Sequence, residues 1–151
     1  MKNKNKWICL LFIMWGILSA STLYAEGMLK LVVRDRVIEP GEELAIYLLL
    51  NGSENYDVYA ALTGGALQDQ VFMVDQQAMF IPFNPNEPLP KLRDNLNLSQ
   101  LSIKDKIITL IPKFLFKDTV AFQGMYTFYG VLCSPGTLNF IEVQTVQVEI
   151  K

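Results

Sequence analysis

From residue 43 to residue 50 the chain reads ELAIYLLL, with Leu44, Ile46, Leu48 and Leu50 at every second position. A period of two places all four on one face of an extended strand, whereas a helix would scatter them around its circumference. Strand character extends along most of the chain. Short β-branched and aromatic runs recur at 28–38, 56–63, 70–75, 78–83, 107–112, 124–133 and 138–150. Turn chemistry separates them: Glu39-Pro40-Gly41, Asn51-Gly52, Gly64-Gly65 and Ser134-Pro135-Gly136-Thr137. Pro presets φ, and Gly admits positive φ, so these positions reverse the chain. About seven or eight strands spaced in this way predict an all-β, antiparallel sandwich.

One strand can be resolved face by face. In GMYTFYGVLC, residues 124–133, alternation predicts a core face of Tyr126, Phe128, Gly130 and Leu132. Gly130 leaves a gap on that face, which a large side chain of the opposite sheet should fill. At the C-terminus, Val146, Val148 and Ile150 alternate with Thr145, Gln147 and Glu149, the signature of a half-buried strand.

The first 25 residues are of a different kind. Lys2, Lys4 and Lys6 precede the apolar run WICLLFIMWGIL, and the small, polar SASTLYA comes next, ending at Ala25. Charge, apolar segment and small-residue junction, in that order, predict a secretory signal peptide over 1–25 and a single sandwich domain over 26–151. Cleavage after Ala20 is the variant reading. Retention as an N-terminal membrane anchor is the other, since residues 7–25 carry no charge. No small-residue-Cys junction surrounds Cys9, so lipoprotein processing is not expected. Cleavage removes three of the 13 basic residues and none of the 15 acidic ones, taking the formal charge from −2 to −5. Such a domain has no electrostatic footprint for nucleic acid. It would keep only Cys133, so no internal disulfide can form and the core must suffice.

Residues 82–105 break the strand rhythm with four of the seven prolines. Proline removes ladder donors, which predicts a long Pro-rich loop with at most a short helical turn near 93–102. Loops of this length in a compact domain are commonly functional. Phe83, Asn84, Pro85, Pro88, Leu89, Pro90 and Arg93 are therefore the expected partner-binding residues, with an exposed sheet edge as a second contact surface.

Catalytic chemistry finds few materials. The chain has no histidine, which removes Ser-His and Cys-His pairs and most zinc sites, so no catalytic residue and no cofactor is expected. Cys133 reads as an inert buried thiol, or else as an intermolecular bridge to a partner. Asp57, Asp69 and Asp75 flank the Gly-Gly turn, where solvated or capping carboxylates are the ordinary finding. Asn51, Ser53, Asn55 and Asp57 have the every-other-residue spacing of a calcium loop but lack its bidentate Glu, so a hairpin turn is the plainer reading. Asn51-Gly52-Ser53 and Asn97-Leu98-Ser99 are acceptor sequons in a host that glycosylates asparagine. Tyr47, Tyr59 and Tyr129 either share an outer sheet face suited to sugars or pair across strands within the sandwich.

The combination EPGEELAIYLLL, NYDVYAAL, a Pro-rich stretch and GMYTFYGVLCSPGT resembles the immunoglobulin-like β-sandwich modules of secreted bacterial proteins. The resemblance spans most of residues 29–150. It implies an immunoglobulin-like fold and a periplasmic, extracellular or cell-surface setting, and it transfers no catalytic residue. The expected role is non-catalytic binding or assembly with a protein partner or cell-surface component. A stand-alone carbohydrate- or calcium-binding module is the alternative.

Overall fold

A computed structural model describes residues 28–115 and 120–151. The expected signal segment lies outside these residues. Among the described residues the chain forms ten strands: β1 Leu29–Val33, β2 Val37–Ile38, β3 Glu43–Leu50, β4 Asn55–Gly64, β5 Phe72–Val74, β6 Phe80–Pro82, β7 Arg93–Asn97, β8 Ile107–Leu115, β9 Gly124–Cys133 and β10 Phe140–Ile150. Three short 3-10 turns, at 65–67, 98–100 and 120–122, are the helical elements among the described residues.

The strands form two sheets. One has the order β1-β3-β8, and the other runs β2-β10-β9-β4-β5-β6, with β7 also paired to β4. Every pairing is antiparallel except the two-residue contact of β2 with β10, which is parallel. The first apolar run therefore does not make one strand. It splits at Arg34–Arg36, and its halves join different sheets. Glu39-Pro40-Gly41 turns the chain as expected, with Gly41 at φ 91°.

The core fills the space between the sheets. Leu44, Ile46, Leu48 and Leu50 of β3 are all buried, and they face Tyr56, Val58 and Ala60 of β4 and Tyr126, Phe128 and Leu132 of β9. Val146, Val148 and Ile150 of β10 complete that side, as their alternation predicts. Gly130 lies within this face. A Cβ built on it would stand 2.5 Å from Leu48 Cδ1, so the gap is filled from the opposite sheet. Gly65 serves another close approach: the Tyr126 ring lies where its Cβ would be. The Tyr126 hydroxyl donates to the Phe122 carbonyl at 2.8 Å and accepts from the Ala66 N–H at 3.1 Å.

The strand pairing corrects two local expectations. The turn at 51–54 is not a hairpin, because β3 and β4 belong to different sheets and the segment crosses between them. The stretch 82–105 is not one loop either. Its middle forms β7, which pairs with the first half of β4 while β5 pairs with the second half. Leu92 and Leu98, on either side of β7, are fully buried. Two deeply buried leucines outweigh the weak strand propensity of RDNLN, which is why propensity alone misplaces this segment.

Candidate functional site

The outer face of the larger sheet carries a second apolar cluster, separate from the core. Alternation along β4 and β9 sends Asp57, Tyr59 and Ala61 and, beside them, Tyr129, Val131 and Cys133 to this side. Water would ordinarily meet this face. Instead Tyr59, Met73, Val131 and Cys133 are buried together, and Phe83 and Leu89 pack on them. The Pro-rich segment between β6 and β7 thus acts as a partial roof.

The roof has a definite construction. Asn84, Pro85, Asn86 and Glu87 form a turn closed by the Glu87 N–H on the Asn84 carbonyl at 3.2 Å. Asn84 Oδ1 accepts the Asn86 N–H, and Asn84 Nδ2 donates to Glu87 Oε1. Pro85 takes the second turn position, where its fixed φ is an advantage. Phe83 and Leu89 stand at either side of this turn and face inward, whereas Pro88 is exposed. Arg93 belongs to β7, and its guanidinium donates to the Leu92 carbonyl at 2.6 Å and, more distantly, to that of Gln76. The expected partner-binding set is therefore divided: Phe83 and Leu89 line apolar structure, Asn84 and Pro85 shape the turn, and Arg93 works on the backbone.

A cavity of about 70 Å³ opens on this face. Tyr59, Ala61, Tyr129 and Val131 form its floor, Val71 and Met73 bound it near β5, and Leu89 enters from the roof. Leu138, from the β9–β10 turn, and Phe140, the first residue of β10, complete the lining. Both are substantially exposed, at 44 % and 40 %, and Ile141 beside them is 41 % exposed, so the cavity has an apolar rim open to solvent. Thr63 and the two tyrosines also line it, and the lining is almost wholly apolar, with Thr63 Oγ1 and Tyr129 Oη 3.5 Å apart.

Asp57 sits at the edge of this apolar surface, and its position reverses the expectation of a solvated turn carboxylate. It lies within β4 and is fully buried. Opposite it the β4–β7 register slips between Tyr56 and Val58, a bulge in which Asn95 adopts φ 46°. The Asn95 N–H donates to Asp57 Oδ1 at 2.8 Å. The Gly136 N–H, from the β9–β10 turn, donates to Oδ2, also at 2.8 Å, and Lys91 Nζ stands 2.7 Å from the same oxygen. Lys91 is shared with Asp94. Burial pushes the Asp57 carboxyl up, but Lys91 and the two N–H donors together outweigh it and hold the group below the usual carboxylate range. The Lys91 ammonium is correspondingly raised by its hydrogen bonds to Asp57 and Asp94.

Three of the four candidate calcium ligands, Asn51, Asn55 and Asp57, are drawn into other contacts. Asn51 Oδ1 accepts the Gly52 N–H, Asn55 Nδ2 donates to Asn95 Oδ1, and both Asp57 oxygens are engaged as described. No group of three or more His, Cys, Asp or Glu side chains is placed to hold a metal among the described residues. Asp75 caps the β5–β6 turn by accepting the Gln77 and Met79 N–H groups. Cys133 is a fully buried free thiol facing Asp57 across the β4–β9 pair. Burial first, and then the Asp57 charge, push its pKa up to about 11, so an intermolecular bridge would require this surface to open. Tyr59 and Tyr129 share the outer face of the larger sheet, while Tyr47 is on β3 of the other sheet, so the three do not form one platform.

Sequence reasoning missed Asp57 and Lys91 as partners. The available signal was an Asp, a poor strand former, inside the run NYDVYAAL. Its partners Lys91 and Gly136 lie far along the chain, the latter 79 residues away, and have no sequence pattern linking them to it. Comparisons with protein-family models, curated proteins and solved structures gave no match.

Proposed function

We propose that this chain is an exported, non-catalytic immunoglobulin-like sandwich that acts in binding or assembly, with its contact surface on the outer face of the larger sheet. The observation that carries the reading is the rimmed apolar cavity beneath Leu89 and beside Leu138 and Phe140. A monomeric domain ordinarily covers this side of a sheet with polar residues, and a concave apolar surface with few hydroxyls suits an uncharged, side-chain-sized group. A sugar would leave its hydroxyls unpaired against such a lining, which favours a protein contact over a carbohydrate one.

The immunoglobulin-like part of the reading has separate support. The order β10-β9-β4-β5-β6 of the larger sheet parallels a variable-type sandwich, in which two strands extend the three-stranded sheet, although β7 pairs with β4 and does not join β1-β3-β8 as a fourth strand. The Tyr126 hydroxyl bonds the backbone four residues upstream, as a tyrosine corner does. The inter-sheet disulfide of antibody domains has no counterpart, since Cys133 is free. Export rests on the charge, apolar run and small residues of 1–25, and the mass of the protein recovered from its host tests it directly.

The functional test compares native size in extracts of the host envelope for the wild type and for Leu138→Glu, a substitution on the exposed rim. A complex larger than the monomer that is lost in the variant is the expected result. A complex that survives the charge would remove this face as the contact, and a monomer in both would remove the assembly reading. Deleting residues 84–104 is unsuitable, because it would take away β7 and the buried Leu92 and Leu98.

A further inference from the structure

Two of the segments that wall the apolar cavity, the roof and the β9–β10 turn, are anchored within two residues of a lining side chain, and both anchors are the same carboxylate. Leu89 enters the cavity from the roof; two residues on, Lys91 pairs with Asp57 Oδ2 at 2.7 Å. Leu138 enters from the β9–β10 turn; two residues back, the Gly136 N–H donates to that same oxygen at 2.8 Å. Asn95, within β7 just beyond the roof segment, donates to Oδ1. A single side chain thus ties the roof to the turn.

We propose that Asp57 is an acid-releasable clamp that sets the opening of the cavity, holding the roof and the β9–β10 turn in place while ionised and freeing both when protonated. The inference rests on the cavity being the contact surface, but its mechanism belongs to the chain alone. Ionised, the fully buried carboxylate accepts from three donors. Protonated, it loses the charge that strengthens all three bonds, and its O–H competes on the oxygen that Lys91 and Gly136 share, so the roof and the turn are both released.

The surrounding groups permit this response. Lys91 and Asp94 face Asp57 from the roof and β7, Tyr59 from its own strand and Cys133 from β9. Tyr59 and Lys91 are both raised, and Cys133 lies near 11, so none of these three changes charge in acid. Asp94 is the other carboxylate on Lys91 and is the control. Because the Asp57 carboxyl is held below its ordinary value, the clamp is closed above that range and is released as pH falls through the folded-state value.

The test is residue-resolved amide exchange on isotope-labelled protein as its host processes it, with a pH series monitored alongside the Asp57 carboxyl carbon. Expected are parallel losses of protection at Asn95 and Gly136, roughly tenfold or more, the scale of a lost charge-assisted hydrogen bond. These losses should track the Asp57 titration while Leu48 and Val148 stay protected. Asp94→Asn should leave the coupling in place, and Asp57→Asn should show the released state at neutral pH. If Asp57→Asn fails to fold, the wild-type series alone decides. Protection retained at either amide after Asp57 is protonated, or lost only with the core, overturns the clamp. No ligand is involved, so failure of the Leu138→Glu size assay would be a separate result.

Discussion

Replacing Gly130 with Ala tests how closely the two sheets approach. The new Cβ would lie 2.5 Å from Leu48 Cδ1, with Leu29 Cδ2 and Leu31 Cγ already at 3.5 and 3.6 Å. Carbon atoms pack best at about 3.5–4.0 Å, so Leu48 would have to withdraw by roughly 1 Å. Leu48 is fully buried, and the neighbouring leucines restrict its retreat. Overpacking of this kind costs about 1–3 kcal/mol. Loss of glycine's freedom in the unfolded chain offsets about 0.4–1 kcal/mol of that. The net expectation is destabilisation of about 0–2.5 kcal/mol, centred near about 1 kcal/mol, which lowers Tm by roughly 3–5 °C for a domain of this size. Urea unfolding should show a lower midpoint at unchanged slope. The cause is then isolated with Leu48→Ala. Alone it should cost about 2–5 kcal/mol, but in the Gly130→Ala background it should cost at least about 1 kcal/mol less, because the shorter side chain relieves the clash. A stabilising Gly130→Ala, or strict additivity of the two changes, would refute the close approach of β9 and β3.

Four further outcomes are expected. Asp57→Asn should destabilise the domain by about 2–3 kcal/mol in denaturant titrations, below the 3–5 kcal/mol typical of a wholly buried pair because the Lys91 side chain remains 27 % exposed. In the wild type, the stabilisation from Asp57 is present above the unfolded aspartate pKa of about 3.9 and is lost as pH falls through the lower folded value, so Tm should drop at the acid end in a way that Asp57→Asn does not reproduce. Tyr126→Phe removes a donor to Phe122 and an acceptor for Ala66, and calorimetry should show a loss of about 1–2 kcal/mol with the fold intact. Cys133 should resist a thiol reagent at pH 8 in the native protein and react at once in denaturant; rapid native labelling would contradict its burial.

The division between sequence and tertiary structure tracks the range of the interactions involved. Strand alternation is local, so ELAIYLLL and GMYTFYGVLC disclosed both their extended form and their buried faces, and even the gap at Gly130 was legible. Turn chemistry is local too, and Glu39-Pro40-Gly41 and Ser134-Pro135-Gly136-Thr137 reverse the chain where expected. Which sheet each strand joins is not local. The first apolar run divides between sheets, and 51–54 crosses from one to the other, because pairing is decided by partners far along the chain. β7 escaped detection because Leu92 and Leu98, buried beside it, outweigh a polar strand sequence. The cavity and its clamp depend most on the completed fold. Lys91, Asn95 and Gly136 meet at Asp57 only after β4, β7 and the β9–β10 turn have docked, and a buried carboxylate is stable only where such donors converge.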